Sequence, residues 1–268
     1  MTLKQPLNRY IEHTLLKPEA TLDDFQKLLD EAIRYTFAAV CVSPFMALPA
    51  VDALKEYPDI HVCTVVGFPH GNIPFPLKYE EAKYFAENGV DEIDFVANIG
   101  LIKSGMYENV GSELEVLGEL CKTHKVISKC IIETCYLTEE EKMFMYRALS
   151  EKTAVNYIKT STGFGTGGAG LGDVWRWNER RQEEFSEGVI ETGGGLLQLV
   201  EATKPTSTLR NGVPLKIKAA GGISDLQTAL KFIACGADRI GMSASVKVME
   251  EYNAPPTTFI EKEEEETP

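Results

Sequence analysis

Short apolar segments rich in β-branched residues recur along the chain, and longer amphipathic segments separate them. Eight of these segments fit β-strands: 10–15, 38–42, 61–67, 92–97, 126–133, 156–160, 214–219 and 238–242. Several are apolar on both faces, which is typical of strands that are covered on both sides in a parallel sheet. Eight strand–helix units within roughly 250 residues predict an α/β protein of the (β/α)8 (TIM) barrel class.

The segments between the predicted strands carry signals for helix ends. Thr21 precedes two acidic residues and an apolar periodicity, so it is a predicted N-cap. Thr138 and Glu141 form a predicted capping box, and a further helix is predicted from Ser224 to a C-terminal glycine, Gly236. A doubly wound open sheet is disfavoured, because no GxGxxG motif follows the first predicted strand.

The connection between the sixth and seventh predicted strands, residues 161–213, is longer than one helix and its loops require. It reads as two helical stretches interrupted by Gly193, Gly194 and Gly195, with an insertion around residues 175–205. An elaborated outer helix is favoured over a substrate lid or a dimer contact. We therefore predict a single barrel domain over residues 1–253 with an extended crossover. Residues 254–268 form an acidic tail without apolar periodicity, which predicts disorder.

Composition excludes several classes of protein. The net charge of −13 argues against nucleic acid as a partner, because phosphate backbones are bound through Lys and Arg. No apolar stretch is long enough for a membrane span or a signal peptide, so a cytoplasmic protein is expected. The six cysteines form no CxxC pair and the four histidines no metal-ligand spacing. Reduced thiols, and no metal or organic cofactor, are the expectation.

Three ionisable residues stand at the carboxyl ends of predicted strands, where barrel enzymes place their active sites. They are Asp94 in "DEIDFVANIG", Lys159 in "YIKTSTGF" and Lys218 in "KIKAAGGI". A charge within an apolar strand is costly unless it is paired or functional. A buried ion pair is the alternative for each residue alone. Three such residues at neighbouring strand ends favour a catalytic site.

Two neighbouring lysines have a specific chemical use. A lysine attacks a carbonyl only when it is neutral, and an ordinary lysine, with a pKa of about 10.4, is charged at pH 7. A second ammonium roughly 4 Å away destabilises the first by about 4 kcal/mol at an effective dielectric of about 20, and desolvation adds to this. We therefore predict that Lys218 keeps Lys159 deprotonated enough for Schiff-base chemistry. Asp94 is a candidate general acid/base or a salt-bridge partner.

Glycine-rich turns follow the same strands. The sequences "STGFG", "AAGGIS" and "RIGMSAS" present backbone N–H groups where an anion is favoured. The loops after the last two strands of a barrel are a usual phosphate site. Gly221, Gly222, Gly241 and Ser243 are therefore the candidate phosphate ligands, although tight turns also use glycine.

These motifs occur together, and in the same order, in a known family. The series "IEHTLLKP", "VCVSP", "VCTVVGFPHG", "GVDEIDFVANIG", "KCIIET", "YIKTSTGF", "KAAGGI" and "RIGMS" resembles the deoxyribose-phosphate aldolases, which are class I aldolases on a TIM barrel. The resemblance implies reversible cleavage of 2-deoxy-D-ribose 5-phosphate to acetaldehyde and D-glyceraldehyde 3-phosphate without a cofactor. It also implies that Lys159 forms the Schiff base, that Lys218 tunes it and that Asp94 moves protons. The further substrate-binding residues that it implies are Thr14, Cys41, Lys129, Thr160 and Gly163.

The sequence also departs from the family pattern. Glu12 stands where an aspartate is usual, Ala244 replaces the second of two serines, and Phe164 stands where some members carry a phosphate-binding lysine. A Schiff-base aldolase with another aldehyde substrate is therefore one alternative. A catalytically silent, phosphosugar-binding barrel is the other. The partners expected are small phosphorylated sugars and aldehydes, with a homodimer as a possibility from the resemblance.

Overall fold

The computed structural model describes residues 2–186 and 213–254. In this part of the chain eight parallel strands close into a barrel in sequence order, from β1 beside β2 round to β8 beside β1. The strands are β1 Ile11–Leu15, β2 Ala39–Val42, β3 His61–Val66, β4 Glu92–Val96, β5 Ile127–Ile131, β6 Tyr157–Lys159, β7 Lys216–Ala220 and β8 Arg239–Met242. The predicted barrel and all eight predicted strands are confirmed, with ends that differ by one to a few residues.

Helices connect the strands and surround the sheet. In the described residues they are α1 Leu22–Tyr35, α2 Pro44–Leu54, α3 Phe75–Glu87, α4 Ile99–Lys103, α5 Tyr107–Thr123, α6 Glu139–Lys152, α7 Leu171–Ser186, α8 Leu226–Ala234 and α9 Ser245–Asn253. Two short 3-10 turns, Leu7–Tyr10 and Thr134–Tyr136, precede β1 and follow β5. None of the helices in the described ranges is both long and apolar enough to cross a membrane.

The predicted helix caps are formed by the expected hydrogen bonds. The Thr21 hydroxyl accepts from the Asp24 N–H at the start of α1, and the Asp24 carboxylate accepts from the Thr21 N–H. Thr138 and Glu141 make the same reciprocal pair at α6. The predicted start of α8 at Ser224 was two residues early: the helix begins at Leu226, because the Asp225 carboxylate accepts from the Thr228 N–H and is the N-cap.

The hydrophobic core lies between the outer face of the barrel and the helices. It unites apolar residues of every strand–helix unit, with Phe37, Phe95 and Tyr146 among its largest buried side chains. Helix α7 packs into this layer through Val174 and Trp177, both almost fully buried. This leaves the interior and the carboxyl-end mouth of the barrel free for polar groups.

The first helical stretch of the predicted crossover is therefore α7. The second stretch, the three glycines and most of the insertion lie outside the described residues, as does the acidic tail beyond Ala254. The division into a barrel domain and a tail remains a prediction.

Candidate active site

The strand register brings the predicted catalytic residues together. Lys159 on β6 and Lys218 on β7 are direct register partners, and so are Asp94 on β4 and Lys129 on β5. Register partners in a parallel sheet point to the same face, here the barrel interior. All four residues are at most 2% exposed. The sheet therefore places them at adjacent positions within the barrel.

Asp94 is the centre of this arrangement. Its Oδ2 accepts hydrogen bonds from Lys159 Nζ at 2.7 Å and from Lys218 Nζ at 2.6 Å, and its Oδ1 accepts from Lys129 Nζ at 2.8 Å. Because Lys159 and Lys218 bond the same oxygen, their two nitrogens are near neighbours. The three predicted catalytic residues, and the predicted substrate-binding Lys129, thus form one contact network.

Two further carboxylates complete the network. Glu92 lies 2.5 Å from Lys129, and Glu12 contacts Lys218 directly and lies 3.6 Å from Lys129. Both glutamates are fully buried. We call this group of three carboxylates and three lysines the ionic cluster; its members are Glu12, Glu92, Asp94, Lys129, Lys159 and Lys218. Its formal charges balance, which is the condition under which buried charges are tolerated.

The cluster fixes the charge of Asp94, Lys129 and Lys218. Burial favours the neutral form of Asp94, but Lys129, Lys159 and Lys218 outweigh it and hold the pKa of Asp94 well below its usual range. Burial likewise favours neutral Lys218, but Asp94 and Glu12 raise the pKa of Lys218 well above its usual value. The pKa of Lys129 is raised in the same way by the nearby acidic groups. Lys218 therefore stays a cation, and Asp94 an anion, across the working pH range.

Two free cysteines touch the cluster, and their contact with it was not predicted. Cys41 and Cys63 are register partners on β2 and β3, and Cys63 Sγ lies 3.2 Å from Asp94 Oδ1 and 3.4 Å from Lys129 Nζ. Their sulfurs lie within 4.8 Å of carboxylate oxygens of Glu12 and Asp94, a possible metal-ligand set. However, lysines already form ion pairs with both carboxylates. Burial also raises the pKa of Cys63, which disfavours the thiolate that a metal would need. These residues therefore suit an ion-pair cluster better than a metal.

A cavity of about 370 Å³ opens above the cluster at the carboxyl ends of the strands, and Lys159 is the cluster residue that lines it. The other predicted binding residues on its wall are Thr14, Gly163, Gly221, Gly222, Gly241 and Ser243. Lys218, Asp94, Lys129 and Cys41 lie below this wall. Thr160 is also buried, where its hydroxyl donates to the Ala220 carbonyl and accepts from the Ala220 N–H, tying β6 to β7.

Three glycines of the cavity wall have the backbone conformation that only glycine adopts readily. Gly163, Gly221 and Gly222 have φ of +88°, +87° and +78°. The space beside Gly222 is open, so backbone conformation, and not crowding, requires glycine there. We call the wall formed by these three glycines, Gly241 and Ser243 the glycine cradle. Its turns, beside β7 and β8, suit an anion.

Sequence reasoning missed several residues of the site. Glu12 was noted only as a departure from the family pattern, and Glu92 was assigned no role. Glu133 was missed entirely: its buried carboxylate accepts from the N–H and the hydroxyl of Thr162, and so holds the turn that carries Gly163. Lys17, which lines the cavity, was missed because it sits in a loop. The available signal was strand alternation, which puts Glu12 and Glu92 on the inner face.

Comparison with known proteins gives a consistent result, although no family model matches the chain. It is 41% identical over 248 residues to the deoxyribose-phosphate aldolase of Thermococcus kodakarensis, which covers 92% of this chain and 97% of that protein. It is 37% identical over 246 residues to that of Thermoanaerobacter sp., covering 91% and 96%. The tetrameric deoxyribose-phosphate aldolase of Aeropyrum pernix superposes with a TM-score of 0.74 at 27% identity, covering 92% of this chain and 91% of that one.

Proposed function

This chain belongs to the deoxyribose-phosphate aldolase family, and from that premise we propose how its residues cleave 2-deoxy-D-ribose 5-phosphate reversibly. The products are acetaldehyde and D-glyceraldehyde 3-phosphate. The observation that carries the proposal is the position of Lys159: it lies at the wall of the cavity and bonds the same carboxylate oxygen as Lys218. The residue roles below are part of this proposal.

The first step is attack of the neutral Lys159 amine on the aldehyde carbon of the open-chain sugar. The carbinolamine then loses water to give an iminium. Lys218, which Asp94 and Glu12 keep protonated, is a fixed positive charge beside the amine. We propose that this repulsion, which opposes the attraction of Asp94 for the same amine, supports the nucleophilic form of Lys159. The buried surroundings strengthen the effect, because little solvent screens the two charges.

The iminium then withdraws electrons from the bond between carbons 2 and 3 of the sugar. A base removes the proton of the 3-hydroxyl, the carbon–carbon bond breaks, and D-glyceraldehyde 3-phosphate leaves. The enamine that remains takes a proton on carbon 2, and water releases acetaldehyde from Lys159. We propose that Asp94 assists these proton transfers through a water molecule. It bonds both Lys159 and Lys218 and stays ionised.

The glycine cradle is the proposed binding site of the substrate phosphate. An open-chain sugar bound through its first carbon at Lys159 extends its phosphate along the same cavity toward the cradle. There the positive-φ turns at Gly221 and Gly222 offer backbone N–H groups, and Ser243 offers a hydroxyl. The partners of the protein are therefore a small phosphorylated sugar and its aldehyde products. A homodimer and a cytoplasmic location remain predictions; sedimentation analysis tests the former.

The experiment is to treat the purified protein with acetaldehyde and borohydride and to map the modified residue by mass spectrometry. In parallel, acetaldehyde release from deoxyribose 5-phosphate is assayed. We expect one two-carbon adduct, at Lys159, and cleavage of the phosphorylated sugar. An adduct without cleavage would support an aldolase with another substrate. Absence of both would support the silent barrel and refute the proposal.

A further inference from the structure

We propose that Lys17 is the cation that attracts the phosphate dianion of the substrate and holds it against the glycine cradle. The inference deepens the proposed function and rests on it. It concerns a residue outside the strands and outside the ionic cluster. Four observations support it: the charge of the cavity wall, the barrel topology, the lack of a competing partner, and the absence of a cation elsewhere on the cradle.

The charge of the cavity wall is the first observation. Among the described residues that line the cavity, only Lys17 and Lys159 carry charged side chains, and neither has an acidic neighbour on that wall. Lys159 is buried at the end of the cavity where the aldehyde reacts. Lys17 is exposed at the rim. A substrate with an aldehyde at one end and a dianion at the other matches this separation of the two lysines.

The barrel topology sets Lys17 beside the cradle. Strands β1 and β8 are neighbours, with Glu12 in register with Gly241 and His13 with Met242. The residues that follow these strands therefore run side by side at the mouth. Lys17 follows β1, and Ser243 follows β8. The loop of Lys17 thus flanks the β8 side of the glycine cradle, whereas β7 and β8 separate β1 from β6, which carries Lys159.

The Lys17 ammonium also has no competing partner in the described part of the chain, where no carboxylate lies within ion-pair distance of it. Asp24 is close enough for Lys17 to lower the pKa of its carboxyl slightly, but hydrogen bonds from Thr21 are the main cause of that shift. Those bonds commit the Asp24 carboxylate to the helix cap. The loop itself is ordered by a bond from the Ala20 N–H to the Lys17 carbonyl, at 3.1 Å. A positive charge is thus presented at the rim without being neutralised.

The cradle needs such a charge. Phe164 lines the cavity without a charge, and its ring packs edge-on against Phe68. Ala244 offers no hydroxyl. The cradle therefore contributes backbone dipoles and one serine but no formal charge. In a chain with a net charge of −13, a dianion is repelled on approach unless a local cation offsets the field.

The test compares Lys17→Gln with Lys17→Arg and with Lys55→Gln. Lys55 is an exposed lysine at the C-terminal end of α2, which lies at the opposite end of the barrel from the cavity, so its variant controls for the loss of one charge. Each protein is assayed with deoxyribose 5-phosphate and with unphosphorylated deoxyribose at several salt concentrations. Binding of inorganic phosphate is measured by calorimetry, which requires no turnover.

We expect Lys17→Gln to lower kcat/KM for the phosphorylated sugar by about 10- to 100-fold, mostly through KM, as for loss of one charge-assisted hydrogen bond. The kcat/KM of Lys17→Gln for the phosphorylated sugar should depend less on salt concentration than that of the wild type. Its affinity for inorganic phosphate should also be lower. The activity of Lys17→Gln on unphosphorylated deoxyribose should stay near wild type. Lys17→Arg and Lys55→Gln should keep near wild-type activity on both sugars. Equal losses on both sugars, or no loss on either, would overturn the inference. Failure of acetaldehyde trapping at Lys159 would instead refute the proposed function, and the phosphate measurement would still decide the role of Lys17.

Discussion

The ionic cluster and the glycine cradle lie at the same end of the barrel but are built on opposite principles. The cluster consists of charged side chains on strands, sealed from solvent and paired with one another. The cradle consists of backbone at the turns that follow strands, open to the cavity and almost without charge. In the proposed function the cluster contacts the reacting carbonyl, and the cradle contacts the phosphate, which does not react.

This difference has a consequence for catalysis. Charges fixed on strands and shielded from water hold their geometry and interact strongly, which suits the stabilisation of a changing charge during reaction. Backbone turns at the rim bind a constant anion equally in the ground state and the transition state, which lowers KM more than it raises kcat. Changes in the cluster should therefore affect every substrate. Changes in the cradle should affect phosphorylated substrates only.

The largest effect is expected from Lys159→Met. Removal of the amine prevents iminium formation, so kcat for both deoxyribose 5-phosphate and deoxyribose should fall by at least about 10⁴-fold. A coupled assay of aldehyde release measures this. Residual activity above about one hundredth of the wild-type value on either sugar would show that another residue is the nucleophile.

Lys218→Leu should be next. A neighbouring ammonium accounts for about 4 kcal/mol, so kcat at pH 7 should fall roughly 1,000-fold on both sugars. Thermal unfolding must accompany the assay, since the substitution leaves Glu12 and Asp94 without one partner. A loss confined to the phosphorylated sugar would contradict the assignment of Lys218 to the cluster.

Gly222→Ala tests the cradle with a smaller effect. The added methyl meets open space, but φ of +78° strains any other residue by about 1 kcal/mol or more. The turn should relax, and KM for deoxyribose 5-phosphate should rise by about 5- to 10-fold with little change for deoxyribose. Gly105→Ala is the matched control, because Gly105 also has positive φ and open space but lies off the cavity wall. An equal effect of both variants on KM would contradict the assignment of the cradle as the phosphate-binding site.

The smallest effect concerns the lower edge of the cluster. His61 bonds Glu92 at 2.7 Å, which raises the pKa of His61 against the opposing effect of burial. A histidine whose pKa is raised on folding stabilises the folded protein at pH values below its pKa in the unfolded chain, about 6.5. This stabilisation is lost as the pH rises through the pKa of the folded protein. His61→Gln should therefore lower stability by about 0.5 kcal/mol at pH 5.5 and by almost nothing at pH 9, given partial solvent screening. Urea titrations at both pH values measure it, and a larger loss at pH 9 would contradict the ion pair.

The same two regions show how far sequence alone reaches. The strands and the lysines Lys159 and Lys218 were predictable, because apolar runs fix the strands and charges within them are exceptional. The partners of those lysines were not. Glu12 meets Lys218 only because β1 closes the barrel against β8, and that long-range closure brings residues 206 positions apart into contact. Lys17 was missed for a related reason: a lysine in a polar loop has no distinguishing pattern until the loop is placed at the cavity.

The pH dependence of acetaldehyde trapping at Lys159, in the wild type and in Lys218→Leu, tests the central claim most directly. The claim is that a fixed cation beside Lys159 keeps the amine reactive at neutral pH. The account predicts that Lys218→Leu traps acetaldehyde much more slowly than the wild type at pH 7, and that raising the pH narrows the difference. Identical pH profiles for the two proteins would contradict the account.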